Sequence, residues 1–191
     1  MDNRERILQC ALELFYAKGY DAVGVQEIAE KAGITKPTLY YYFGSKYGLL
    51  ETLLNTEFEK LRKILRTASE YNGKVPETLY NIASAYMDFA VEHHKFHVLF
   101  MALFYSAKEN EAYKAVRPLV VEFYRTIVQV FDRAEHELGN MNGRQEQFAI
   151  GFTGLINHYI LLSNDEQGNP APVTEEKKKA LVKQFMYGIY S

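Results

Sequence analysis

Residues 34–46 read ITKPTLYYYFGSK. The stretch holds three hydroxyl residues (Thr35, Thr38, Ser45), two lysines (Lys36, Lys46) and four consecutive aromatics, Tyr40 to Phe43. No aspartate or glutamate stands between Glu30 and Glu51. Ammonium and hydroxyl groups meet phosphate oxygens and base edges well, whereas a carboxylate repels a phosphate backbone. The chemistry on offer is recognition of a polyanion. A second constellation is EHHKFH, Glu92 to His97. His93 and His97 stand four apart, a spacing that on one helix can supply two metal ligands. No third ligand, HExxH pattern or nearby cysteine accompanies them. Catalysis finds no support either: there is no glycine-rich phosphate loop, nucleophile elbow or triad. Neither an enzyme activity nor a cofactor or metal is expected. Cys10 lies among apolar helix positions and reads as core.

The chain around these residues has 191 positions, 48% of them hydrophobic, enough for a sizeable core. Its net charge of −2 argues against a uniformly basic nucleic-acid binder. The distribution is uneven, with +1 over residues 1–66 and −3 over 67–191. The acid-free segment 31–50 carries Lys31, Lys36 and Lys46, and KLRKILR at 60–66 adds four more cations. A footprint on phosphate needs local positive charge rather than a basic chain. A single cysteine excludes an intrachain disulfide and fits a reducing compartment. With neither a signal-peptide pattern nor an 18-residue apolar run, a cytoplasmic location is expected.

The elements that position these groups are helical. Ile7, Leu8, Ala11, Leu12, Leu14 and Phe15 recur at helical spacing up to Gly19. Short segments follow, punctuated by Gly24, Gly33 and Gly44. A long pattern runs from Ser45 to Leu65, broken at Tyr71-Asn72-Gly73-Lys74, and Pro76 suits the first turn of the next helix. HKFHVLFMALFY reads as buried. Val120, Tyr124, Ile127, Phe131, Ala134 and Leu138 mark a helix over about 118–138. Phe148, Phe152, Leu155, Tyr159 and Leu162 mark another, and NDEQGNPAPVT precedes a last helix over about 174–188. The fold class is all-α, with no convincing strand pair.

Within VQEIAEKAGITKPTLYYYF, residues 25–43, the small Ala29, the turn residue Gly33 and the apolar Leu39 are spaced as in a helix-turn-helix. Thr35 or Lys36 caps the second helix of the pair, with Pro37 in its first turn. Four consecutive aromatics cannot share one helix face. Leu39 and Phe43 are expected in the core. Lys36, Thr38, Tyr41 and Tyr42 are expected on the open face, beside the free N–H groups of the helix start.

The segment ILQCALELFYAKGYDAVGVQEIAEKAGITKPTLYYYFGSKYGLLETLL, residues 7–54, resembles the DNA-binding domain of TetR-family transcriptional regulators. The resemblance implies a three-helix DNA-binding domain over 1–46, with its third helix, about 36–43, in the major groove. A larger helical domain for effector binding and dimerisation would occupy 47–191. The family's DNA-contacting positions fall on Thr35, Lys36, Pro37, Thr38, Tyr40, Tyr41, Tyr42 and Lys46. Lys36 and Tyr42 are expected nearest base edges. Thr35, Thr38, Tyr41 and Lys46 are expected on phosphate, and Tyr40 equally fits a partly buried place. Two positions depart from the family pattern: Gly24, where serine or threonine is common, and Pro37, where a small residue such as glycine is common.

The resemblance further implies a homodimer on a palindromic double-stranded operator, released by a small-molecule effector, with repression as the commonest outcome. The dimer helices would be those near 117–138 and 144–163. Phe123, Val130, Ile156 and Ile160 lie off the main stripes of these helices, so each helix is apolar on more than one face, which suggests one face for the core and one for the partner. Candidate effector-lining residues are Tyr86, Phe89, His93, Phe96, Phe100, Met101, Phe104, Tyr105, Tyr113, Phe123 and Tyr124, which would suit an apolar or aromatic molecule. The alternatives are a helical adaptor that binds no DNA, or a metalloprotein using His93 and His97. A membrane contact is not expected.

Overall fold

The computed structural model describes residues 2–139, 141–163 and 170–188. Among these residues the chain is helical and contains no strand. The expected loop NDEQGNPAPVT falls largely outside them. No helix among them is long and apolar enough to cross a membrane. The chain divides into two compact units: Met1–Glu59 with Lys95–Val120, and Lys60–His94 with Val121–Ser191.

The first unit contains α1 (Asn3–Lys18), α2 (Val25–Lys31), α3 (Lys36–Phe43), the first part of α4 (Lys46–Ala68), most of α6 (His94–Phe104) and the start of α7 (Glu111–Arg133). A capping box starts α1: Asp2 Oδ1 accepts the Glu5 N–H at 2.7 Å, and the Glu5 carboxylate accepts the Asp2 N–H at 3.1 Å. Ile7, Ala11, Ile28, Ala29 and Leu39 are all fully buried and lock the first three helices together. The α2–α3 turn closes as expected at Gly33, whose φ of +64° is left-handed. There the Ile34 N–H donates to the Ala29 carbonyl and the Gly33 N–H to that of Glu30, each at 3.0 Å.

Cys10 departs from expectation, being only partly buried rather than a core residue. Burial pushes its thiol above the ordinary range, and the nearby Glu13 carboxylate adds to this.

The second unit contains the rest of α4, α5 (Val75–Glu92), most of α7, α8 (Gln145–Leu162) and α9 (Glu175–Tyr187). Leu79, Ile82, Ile127, Phe152 and Ile156 form part of its core. A buried cation ties α9 to α5. Lys178 Nζ donates to Asp88 Oδ1 and Glu175 Oε1, both at 2.7 Å, and its side chain is 3% exposed. An ammonium is buried at this depth only when so completely paired.

The seventh helix begins at Glu111, earlier than 117, and ends at Arg133, before 138. Its start moves because Asn110 caps it, accepting the Ala112 N–H at 2.8 Å. Pro118 then lies inside the helix and forgoes one backbone bond. Its end moves because the backbone tightens beyond Arg133 into i→i−3 bonds, such as the Glu137 N–H to the Ala134 carbonyl at 2.9 Å.

Of the two apolar faces of these helices, the one with Phe123, Val130, Ile156 and Ile160 is buried and belongs to the core. What α7 turns outward is Val121, Tyr124 and Val128, each half-buried, and what α8 turns outward is Ile150, Leu155 and Leu162.

In this unit Arg62, one of the four cations of KLRKILR counted above as local positive charge, grips Glu122. Its Nε and Nη2 donate to Oε1 and Oε2 at 2.5 and 2.9 Å. The hydrogen bond from Arg62 holds the Glu122 carboxyl below the usual carboxylate range. A depressed carboxylate contributes stability that is present above its ordinary pKa and lost as pH falls through the depressed value. Both side chains are substantially exposed, at 38% and 42%, so solvent screening limits the contribution to about 1 kcal/mol or less. Glu122→Gln is therefore expected to lower the urea midpoint slightly at neutral pH, with the difference from the parent shrinking as pH falls through the depressed value. A difference that persists unchanged at the acidic end would contradict this.

Candidate nucleic-acid interface

The third helix presents its chemistry as a consequence of its core contacts. Leu39 and Phe43 are buried, as expected, which turns Pro37 and Tyr41 to the opposite side. Tyr41 is 85% exposed, against 40% for Tyr40 and 38% for Tyr42. Tyr41 rather than Tyr42 therefore reaches furthest from the surface. Its ring meets that of Tyr42 edge-on at 5.5 Å between centroids. Lys36 is exposed, with its ammonium 5.8 Å from the centre of the Tyr40 ring.

Thr35 is the cap of α3. Its Oγ1 accepts the Thr38 N–H at 3.3 Å and pairs with Thr38 Oγ1 at 2.8 Å. Only one of two paired hydroxyls donates to the other, so one O–H of the pair remains to donate outward. The expectation of several free N–H groups here needs correction. Pro37 has none and Thr38's is taken, which leaves that of Lys36 among the first three. At the start of α4, Ser45 Oγ accepts the Gly48 N–H at 2.9 Å, leaving the Lys46 and Tyr47 amides without a partner in the helix. Ser45, where the long helical pattern was expected to begin, is thus the cap of the helix carrying Lys46, a role its sequence context did not reveal.

Lys46 is not a freely extended ammonium. It is partly buried, with Nζ 4.2 Å from the centre of the Tyr20 ring. Burial lowers its pKa, while Asp21 and Glu111 pull it back up. Tyr20 is fixed in turn by its hydroxyl, which donates to Glu111 Oε2 at 3.3 Å. Lys31, counted above among the cations of an acid-free segment, pairs with Glu13 of α1 at 3.0 Å. Its charge is thus largely spent within the domain. Gly24 caps α2 with no side-chain bond, as its lack of a hydroxyl requires.

The eleven candidate effector residues fall into two groups. In the first unit are Phe96, Phe100, Met101, Phe104, Tyr105 and Tyr113. Phe100 stacks on Phe58 at 5.8 Å and Phe104 on Tyr113 at 6.0 Å, while Tyr105 is 63% exposed. In the second unit are Tyr86, Phe89, His93, Phe123 and Tyr124. Tyr86 stacks on Phe123 at 4.6 Å, and its hydroxyl donates to Asn157 Oδ1 at 2.7 Å. Burial pushes that hydroxyl well above the ordinary phenol range. The His93 ring lies 4.5 Å from Phe89.

The two-histidine metal reading fails on backbone geometry. His93 is the C-cap of α5, with φ −108° and ψ 41°, and α6 begins at His94. His93 and His97 therefore do not share one helix face. No group of three or more His, Cys, Asp or Glu among the described residues is placed to hold a metal ion.

Residues 7–53 match the family model described as bacterial regulatory proteins, tetR family. That segment carries the TetR-family N-terminal domain. It is 35% identical over 92 residues to the HTH-type transcriptional activator FasR of Mycolicibacterium smegmatis, covering 48% of this chain and 42% of FasR. It is 40% identical over 86 residues to the HTH-type transcriptional repressor BdcR of Escherichia coli, covering 43% of this chain and 44% of BdcR. The matches thus span less than half the length of these relatives. The transcriptional regulator FadR from Bacillus subtilis, solved in complex with stearoyl-CoA, shares the fold with a TM-score of 0.79 at 14% identity, over 97% of this chain and 99% of that one. The fold shared with FadR accordingly extends over nearly the whole chain, while sequence similarity to the two curated relatives covers less than half of it.

Proposed function

We propose that this chain is a cytoplasmic transcriptional regulator that binds a palindromic DNA operator as a homodimer, with residues 1–46 as its DNA-binding domain. The observation that carries this reading is the outer face of α3. It offers Lys36, a Thr35–Thr38 hydroxyl pair and a largely exposed Tyr41 with no carboxylate of its own. Such a face suits phosphate and base edges in the major groove. Thr35, Thr38 and Lys46 hold phosphate, while Lys36 and the ring of Tyr41 reach base edges alongside Pro37, Tyr40 and Tyr42. Selection of bound sequences from random duplex DNA at two salt concentrations tests the reading. A palindrome with half-sites about one helical turn apart is expected, with binding that weakens steeply as salt rises. Absence of any enriched motif would instead favour the adaptor reading.

Residues 47–191 serve dimerisation and effector binding in this proposal. The dimer forms through α7 and α8, whose outward residues Val121, Tyr124 and Val128 on α7, and Leu155 and Leu162 on α8, make apolar stripes. Gly154, where an added β-carbon would meet nothing within 4 Å, lets a facing helix approach α8 closely. Leu155→Asp is expected to weaken self-association by about 100-fold, the scale of a central interface residue. Sedimentation would then find a monomer with an intact helical spectrum, and an unchanged dimer would refute the assignment.

The effector is an apolar molecule oriented by a few polar groups. Two observations support this class: the aromatic surroundings of Tyr86, with its hydroxyl on Asn157, and the stearoyl-CoA bound by the FadR neighbour. Effector binding favours a dimer whose two recognition helices no longer match the operator spacing. The regulatory sign we assign is repression. It is checked by whether deleting the gene raises the transcript beside the selected operator.

A further inference from the structure

The first unit contains a cleft of about 450 Å³. One wall is the end of α1 and the segment after it, from Phe15 to Ala22, and the other is the α6 face of Val98, Leu99, Ala102 and Leu103. Ser106, Asn110 and Ala112 complete the lining. The volume falls within the range of about 300–1,000 Å³ typical of small-molecule sites. None of the eleven aromatic and neighbouring residues considered above as effector contacts lines it.

The floor is apolar, but the charge around it is one-sided. Lys18, the cation of the lining, is committed to Glu27, with Nζ 2.5 Å from Oε1. Asp21 is exposed at the rim, and its Oδ2 accepts from Asn110 Nδ2 at 2.8 Å. Glu111 stands close by, accepting from the Tyr20 hydroxyl at 3.3 Å. Lys46, over the Tyr20 ring, responds to both carboxylates. Asp21 and Glu111 thus bring two carboxylates to this end of the cleft. Burial of Tyr20, and then the charges of Glu111 and Asp21, hold the phenol above its ordinary range, so the negative field reaches the cleft wall.

We propose that this cleft binds a small lipophilic ammonium ion. Its apolar body lies against Phe15, Leu99 and Leu103, and its positive end lies at Asp21. An anion of the same shape is repelled by the same carboxylates, and a neutral analogue gains only the apolar contact. The site is made wholly by the unit that holds the helix-turn-helix, and its occupancy is measurable without DNA.

The test uses the isotopically labelled full chain, titrated with phenylbutylammonium while backbone amide resonances are followed. Phenylbutanol and phenylbutyrate serve as probes of the same shape. Saturable shifts are expected in 15–22 and 98–112, with the ammonium binding about fivefold more tightly than the alcohol, the upper end for an exposed charge pair. Asp21→Asn is expected to remove that preference and leave the alcohol unchanged. Ala102→Phe, placed at an exposed position on α6, is expected to fill the cleft and abolish the shifts from all three probes. The assignment is overturned by any of three results: no saturable shift in these segments, shifts centred elsewhere, or equal affinity for the ammonium in parent and Asp21→Asn.

Discussion

Replacing Gly48 with alanine is expected to destabilise the fold and to damage DNA binding further. A β-carbon built at this position stands 2.2 Å from the Phe43 carbonyl oxygen, closer than real β-carbons come to any atom. The contact is with backbone, so no side-chain rotation relieves it. It arises because Gly44, with φ +72°, folds the chain back within two residues. The end of α3 then lies against the first turn of α4. Alanine gains about 1 kcal/mol of helix propensity over glycine, but overpacking costs about 1–3 kcal/mol and more where backbone must move. A net loss of about 2 kcal/mol corresponds to a fall of about 4–8 °C in melting temperature for a chain of this size. Calorimetry measures that term directly. Relief of the clash must shift Phe43, and with it the helix that carries Lys36 and Tyr41. Operator affinity is therefore expected to fall by about tenfold or more even well below the melting transition, since each 1.4 kcal/mol of misplaced contact is a factor of ten. A variant as stable as the parent, with unchanged affinity, would mean that α3 and α4 do not meet as described.

The second large effect concerns the two lysines that flank the aromatic run. They are expected to fail differently. Lys36→Ala removes an exposed ammonium from the face proposed to meet the bases, so it is expected to cost about 1–3 kcal/mol on the preferred sequence and to relax preference at one position. Lys46→Ala is expected to weaken binding to every sequence alike and to reduce the salt slope by about one counterion. Lys46 also covers the Tyr20 ring at 4.2 Å, so its loss uncovers an aromatic face. Lys46→Arg keeps the charge and the stacking and is expected to restore most of the affinity. Affinity measured on operator and scrambled duplex across a salt series separates the two lysines. If both variants bind like the parent, the docking proposed for α3 is wrong.

Much of this protein follows from the order of its residues. Helices are local, and their periodicity, stops and caps lie within a few positions of one another. The bounds of α3, the turn at Gly33 and the burial of Leu39 and Phe43 all emerge at that range. The family emerges there too, because its motif is contiguous. Tertiary structure decided what depends on distant neighbours. Segment 31–50 is free of acids along the chain, yet Glu13 folds over from α1 to neutralise Lys31. Arg62 looks like a spare cation until Glu122, sixty residues away, claims both of its nitrogens. Residues Phe123 and Ile156 have the same apolar character whether they face a partner or the core, and only the packing of α7 and α8 within their unit assigned them inward. Gly48 reads as an unremarkable helix glycine, since nothing in its neighbours' identities reveals the carbonyl pressed against it. Spacing fixes which side chains share a face, but the charge and the space each one meets are set by whichever segment folds against it.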